Sequence, residues 1–400
     1  MRSGRTRTPA ARRHHRLAAL VLVALACALG APRLRGPSYD AHEAPYLAAP
    51  PAAVAARVDA PVRRLVLIGD AGDPQPADPT LAALGRWSDA HADRTTVLFL
   101  GDNVYPAGLR AEARERDEAI LRQLLRSTRA HKIFVPGNHD WGRATSPAAL
   151  LEMQRFLEAH AHLGAELAPR DGCPGPVARE LAPPGGELDG GLVLLIVDFH
   201  WWLLPAEARP SCAGVSDTDE FVAALRGELA RRAGQNVVIA AHHPLRSGGP
   251  HGGFTRGFWI DVGAGLYQLV GSLQDLWEPS YAEMIAIVSD VLAEAPPLAF
   301  VAGHDHSLQI LDGGDAARLL VVSGAGSASK ITGVTALDET LFAHAHAGFV
   351  VVDFFAGGPD APDLARVQVV ETGREAPVFT LDLELAPPAA QPAAATPSGP

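Results

Sequence analysis

Residues 95–106 read Thr-Thr-Val-Leu-Phe-Leu-Gly-Asp-Asn-Val-Tyr-Pro, "TTVLFLGDNVYP". The apolar run Val97–Leu100 has the length and composition of a buried strand, and Gly101 permits a tight turn out of it. Asp102 then leaves the strand end, where a carboxylate is placed to meet a metal ion or a proton. The same arrangement recurs along the chain. "GDAG" at 69–72 follows Leu65–Ile68, and "GNHD" at 137–140 follows Lys132–Val135. "HHP" at 242–244 follows Val237–Ala241, and "GHDH" at 303–306 follows Leu298–Ala302. Five strands therefore deliver Asp, Asn, His and Tyr side chains to one edge, and open α/β sheets collect ligands at the carboxyl ends of their strands.

Further strand-like runs are Leu192–Val197, Leu319–Val322 and Phe349–Phe354. Helical patterns lie between the strands at Arg110–Ser127, Ala148–His160, Asp217–Arg232 and Tyr281–Ala293. Alternation of strand and helix predicts an α/β fold. The last third holds more strand than helix, which predicts a mixed sheet. No internal repeat is visible.

The chain has 400 residues, 48% of them hydrophobic, enough for a large buried core. Residues 63–385 read as one folded unit. Residues 32–62 are Pro/Ala-rich and read as a lead-in, and 386–400, "APPAAQPAAATPSGP", as a disordered tail. Arg2, Arg5, Arg7, Arg12, Arg13 and Arg16 precede the uncharged stretch Leu17–Ala31. Residues 1–31 thus read as an export signal, either cleaved, retained as an N-terminal anchor, or attached to lipid through Cys27. The expected location is periplasmic or secreted. The formal net charge is −11. An acidic chain without a basic stripe argues against nucleic acid and against an anionic membrane surface as partners. Cys173 and Cys212 either form one disulfide or stand as separate thiols; the sequence leaves both open.

Asp70, Asp102, Tyr105, Asn138, His242, His304 and His306 are oxygen and imidazole donors without a thiolate among them. Seven donors exceed the needs of one ion and suit two first-row ions sharing a carboxylate. In their order and spacing these motifs resemble the calcineurin-like metallophosphoesterase superfamily. Gly72 stands where most of that superfamily has a histidine, and Tyr105 follows Asp102 by three. That pairing resembles purple acid phosphatases of the tartrate-resistant type, and the likeness spans about residues 64–355. It implies two packed mixed β-sheets flanked by helices. It also implies Asp70, Tyr105 and His306 on one ion, Asn138, His242 and His304 on the other, and Asp102 bridging. The implied cofactors are Fe(III) with Zn, Mn or Fe(II). A phenolate is a harder, more negative donor than imidazole, so Tyr105 suits the trivalent ion.

The implied reaction is hydrolysis of phosphate monoesters by a metal-bridging hydroxide, on a phosphorylated small molecule or protein. The alternative is a phosphodiesterase or nucleotide hydrolase on the same site; a binding module that has lost catalysis fits least, because all seven donors are present. His139 and His251 match family positions that contact phosphate and assist the leaving group. Asp140 reads as a carboxylate orienting His139. The loop 252–271 is long and reads as a cover or a specificity element. His344 and His346 read as exposed strand residues, His160 and His162 as residues at a helix end, and Trp201 and Trp202 as core.

Overall fold

The computed structural model describes residues 59–142, 147–252, 276, 278–358 and 361–385. The segment read as an export signal (1–31), nearly all of the lead-in, the tail 386–400 and loop residues 253–271 lie outside the described residues.

The alternation of side chains along β1 (Arg63–Ile68) sets the layering. Leu65 and Leu67 face one way and Val66 and Ile68 the other, and all four are fully buried. The first pair joins Leu98, Leu100, Leu194, Ile196, Val238 and Val301 in a core between two sheets. The second pair joins Val97, Phe99, Leu84, Leu121 and Leu124 in a core beneath helices. A strand with both faces covered needs a continuous apolar run, which is why "LVLI" and "VLFL" lack polar alternation. Each such side chain contributes roughly 1.5–3 kcal/mol on burial.

In the first sheet β1 lies beside β2 (Thr95–Leu100), then β3 (His131–Val135) and β4 (Ala165–Leu167), all parallel. Its other edge adds β12 (Gly348–Phe355), β13 (Leu364–Glu371) and β14 (Phe379–Glu384), all antiparallel. The second sheet runs β11-β9-β10-β8-β7-β6-β5. Its parallel centre is β6 (Leu192–Ile196), β7 (Asn236–Ala240), β8 (Ala299–Ala302) and β10 (Leu319–Ser323). Its antiparallel edges are β5 (Val177–Ala182), β9 (Leu308–Asp312) and β11 (Thr340–His344). Helices α1 (Pro79–Asp89), α2 (Arg114–Arg126) and α3 (Ala148–Ala159) cover the first sheet; α5 (Thr218–Arg231) and α6 (Pro279–Glu294) cover the second. A short α4 (His200–Leu203) follows β6. The expected sandwich of two mixed sheets flanked by helices is therefore the fold.

Among the described residues no helix is long and apolar enough to cross a membrane. Cys173 and Cys212 are bonded, 39 residues apart in sequence. The helix expected from Arg110 begins at Arg114 instead, after a single 3-10 turn over Ala111–Ala113. Arg110 is extended, and its amide donates to Asp117 Oδ2 at 3.1 Å, which draws the chain across the helix start.

Candidate metal centre

The five parallel strand ends reach the same edge because β1, β2 and β3 run parallel in one sheet and β7 and β8 in the other. Their turns are hydrogen-bonded to one another. Asp70 N donates to Gly101 O at 2.9 Å, Gly72 N to Asp102 O at 3.0 Å, and Gly303 N to His242 O at 3.0 Å. Three non-glycine residues of these turns are in left-handed backbone: Asp70 (φ 57°), Asp102 (φ 53°) and His304 (φ 72°), whose amide donates to Asp70 Oδ2 at 2.8 Å. That region is sterically costly for residues with a Cβ, and it persists where surrounding structure imposes it. Gly101 is also left-handed (φ 89°), and a Cβ there would lie 2.4 Å from His242 Nδ1, so only glycine fits.

The side chains fall into two groups. In the first, Tyr105 Oη donates to Asp70 Oδ1 at 2.9 Å and lies 3.1 Å from His306 Nε2, which is 3.3 Å from Asp70 Oδ1. In the second, His242 Nε2 lies 2.9 Å from Asn138 Oδ1 and 3.2 Å from His304 Nδ1. Asp102 lies between the groups: its Oδ1 is 3.5 Å from His242 Nε2, and it joins Asp70 and His242 in a cluster able to hold a metal ion. Asp70, Asp102, His242 and His304 are almost wholly buried.

The imidazole tautomers follow from their partners. His242 Nδ1 lies 2.8 Å from Leu100 O, His306 Nδ1 2.8 Å from Lys330 O, and His139 Nδ1 2.7 Å from Pro106 O. A carbonyl only accepts, so each Nδ1 carries a proton, and Nε2 is the ring nitrogen turned to the site. Pinning one ring nitrogen on a carbonyl while the other meets a cation is how histidine ligands are oriented. Buried carboxylate, phenol, amide and imidazole oxygens and nitrogens, converging this closely without an ammonium or guanidinium among them, fit cations as their common partner.

The electrostatics point the same way. Burial opposes ionisation of Asp102, but the charges of His139 and His242, with a hydrogen bond from the His139 amide, carry its carboxyl down to about 2. Burial depresses His306, and the hydrogen bond and charge of Asp70 reverse this and raise it to about 8. Tyr105 goes the other way: burial, then the charges of Asp102 and Asp70, hold the phenol well above its ordinary range. Protein groups alone keep it protonated, and a bound cation is what would turn it into a phenolate.

All nine residues singled out in the sequence come together at this edge. The His139 side chain is 38% accessible, with Nε2 3.7 Å from Asp102 Oδ2. His251 stacks on His304, ring centres 4.0 Å apart. Asp140 does not orient His139. Its carboxylate accepts from Asn103 N, Asn103 Nδ2, Val104 N and Gly137 N, so it ties the second and third motif loops together, and Pro106 O orients the ring instead. His344 and His346 are partly buried rather than exposed; His344 pairs with the buried Glu371, whose place on β13 was not anticipated. Trp201 and Trp202 are core, and His160 lies against Phe156 at the end of α3. The sequence reading passed over Asp198 and His200. They follow β6 much as the five motifs follow their strands, but "VDFH" lacks the glycine that marks four of those five.

No curated protein sequence matches the chain. Among solved structures it is similar to GAP50, the anchor in the inner membrane complex of Plasmodium: TM-score 0.52, 15% identity, 81% of this chain and 89% of that one. At that identity the likeness is one of fold. Two others resemble it loosely. A dimetal phosphatase from Danio rerio has TM-score 0.43 and 15% identity, over 82% and 100% of the two chains. The calcineurin-like phosphoesterase YfkN from Bacillus subtilis has TM-score 0.35 and 10% identity, over 81% and 90%. A family model described as calcineurin-like phosphoesterase matches residues 63–308. That stretch runs from β1 to the first residue of β9 and contains all five strand ends and every donor named above, and on it the chain belongs to the calcineurin-like phosphoesterase family.

Proposed function

We propose that the chain is an exported hydrolase of phosphate monoesters with an acid-phosphatase-type dinuclear centre, Fe(III) beside Zn, Mn or Fe(II). Asp70, Tyr105 and His306 would hold one ion and Asn138, His242 and His304 the other, with Asp102 between them. The observation that carries this reading is the sorting of the donors into two groups about one shared carboxylate. Two bound cations would lower the pKa of a water molecule and offset the charge of the phosphate.

The chain's own residues do the rest. The backbone carbonyls of Leu100 and Lys330 fix two imidazoles with Nε2 toward the ions. His139, with Nδ1 occupied by Pro106 O and Nε2 on the open side, is placed to carry a proton to the departing oxygen. His251, stacked on His304, is placed to hold the phosphate from the opposite side. The substrate is a phosphorylated small molecule or protein rather than nucleic acid, consistent with the net charge of −11. The Cys173–Cys212 bond supports an oxidising compartment.

The test is protein purified in air, with metals counted, a visible spectrum recorded, and turnover of p-nitrophenyl phosphate and its bis ester compared. Iron with a tyrosinate-to-iron band and a preference for the mono ester are expected, with activity lost on chelation and by at least about 100-fold in Asp102→Asn. A colourless active protein holding only divalent ions would overturn the Fe(III)–Tyr105 assignment. Preference for the bis ester would make the protein a diesterase.

A further inference from the structure

Two cations stand beside Tyr105 with their side chains unassigned by the reading above. Lys330 closes the 3-10 turn Ala328–Lys330. Its carbonyl takes His306 Nδ1, and its side chain folds back so that Nζ sits 4.7 Å from the centre of the Tyr105 ring. Arg116, in the first turn of α2, donates from Nη1 to Tyr105 O at 2.7 Å and to Asp117 Oδ1 at 3.0 Å. One cation thus lies over the ring and the other grips the backbone of the same residue.

Their positions are fixed by structure that does not use up their charge. Asp117 is fully buried and already neutralised by Arg110, whose Nε and Nη2 donate to it at 2.9 and 2.8 Å. Among the described residues the remaining counter-ion is Asp73, which serves both cations at long range: Arg116 Nη2 to Oδ1 is 3.7 Å and Lys330 Nζ to Oδ2 is 3.9 Å. Neither is a hydrogen bond. Asp73 is itself held by Ser329 Oγ at 2.8 Å and by its own amide on Ser327 Oγ at 3.2 Å. Among the described residues two positive charges therefore face one negative charge, with N–H groups to spare. The Lys330 and Arg116 side chains are 34% and 50% exposed, on a chain whose net charge is −11. A surplus cation on such a chain, one aromatic ring away from the donors that would receive a phosphate, marks a place for a second anion.

We propose that Lys330 and Arg116 form a subsite for a second acidic group of the substrate, so that the preferred substrates are phosphate monoesters whose leaving group itself bears a carboxylate or phosphate within a few atoms of the ester oxygen. This rests on the hydrolase reading and names its substrate class. A guanidinium offers a planar fork suited to carboxylate or phosphate, and the ammonium adds a point charge.

The test compares a matched pair of esters on the metal-loaded full chain: glycerol 2-phosphate and 2-phosphoglycerate, in which a carboxylate replaces one CH2OH. Wild type is expected to favour the acid by roughly 10-fold in kcat/KM, mostly through KM. Lys330→Met and Arg116→Gln are each expected to cut that preference by about 3-fold or more, and Lys330→Arg to keep it. Equal efficiency on the two esters in wild type, or an unchanged ratio in both neutral variants, would overturn the subsite and leave the hydrolase reading standing. No turnover of either ester or of p-nitrophenyl phosphate would overturn the hydrolase reading, and the subsite with it.

Discussion

The tyrosine at position 105 and the glycine at position 72 are one feature seen from two sides. A Cβ on Gly72 would stand 2.5 Å from Asp102 O and 2.6 Å from Asn103 C, both backbone atoms that cannot turn away. No histidine can occupy that place in this chain. The room is taken by the second motif loop, whose Tyr105 N donates to Gly72 O at 3.1 Å while its phenol reaches Asp70. The donor missing from the first strand end is thus supplied by the second, and the close approach that forbids the one delivers the other. Gly72→Ala must push the two loops apart. It is expected to cost about 1–3 kcal/mol of stability and at least roughly 10-fold in turnover. Wild-type melting and wild-type activity in that variant would dispose of the argument. Residue types and spacing were enough to name both positions. The left-handed backbone of Asp70, Asp102 and His304 was not legible, because nothing in an aspartate or histidine announces a positive φ; the constraint comes from turns bonded across strands distant in sequence.

Among the elements, eight short runs rich in Val, Ile and Leu were legible as strands because burial on both faces removes polar alternation. Strands β4, β5, β9, β11, β13 and β14 were not. They are short, or stand near sheet edges, or alternate, as in the partly exposed "VARELA" of β5. Helix α1 was likewise missed, although Asp78 caps it by accepting from Thr80 N and Leu81 N. The end of β6 shows what such an omission hides. Asp198 is buried, accepts from Trp141 Nε1 at 2.9 Å and His200 N at 2.9 Å, and gives its own amide to Pro174 O. It thereby ties the GNHD loop to α4 and to the disulfide loop. Burial raises its carboxyl to about 7 against the opposing hydrogen bonds of Trp141, His200 and Trp201. The folded protein therefore holds this proton to higher pH than the unfolded chain does. The contribution to stability is full below the ordinary carboxylate pKa of 3.8, declines as the pH climbs to about 7, and changes no further above that. Asp198→Asn removes this slope. Relative to wild type, its melting temperature is expected to improve by several degrees between about pH 4.5 and 7.5. A difference that stays constant across that range would contradict the assignment.

For the whole molecule, the decisive fact is that the site belongs to neither sheet alone. Asp70, Asp102, Tyr105, Asn138 and His139 come from strands of the first, and His242, His251, His304 and His306 from the second, so the donors meet only when the sandwich is closed. The Cys173–Cys212 bond fastens the loop before β5 to the loop between α4 and α5. Cross-linking residues 39 apart constrains the unfolded chain, and its loss is expected to cost about 3–4 kcal/mol. Urea denaturation of the Cys173→Ser/Cys212→Ser variant measures this; an unchanged midpoint would show that the bond adds nothing. The three left-handed residues carry a consequence of another kind. Each pays in conformational strain for where it points its side chain, and glycine or asparagine would sit there more comfortably. Selection for sturdiness alone would erode this centre first: a descendant released from its substrate would drift toward a tougher and inert version of the same sandwich, and the persistence of Asp70, Asp102 and His304 in a lineage would record that the chemistry was still in use.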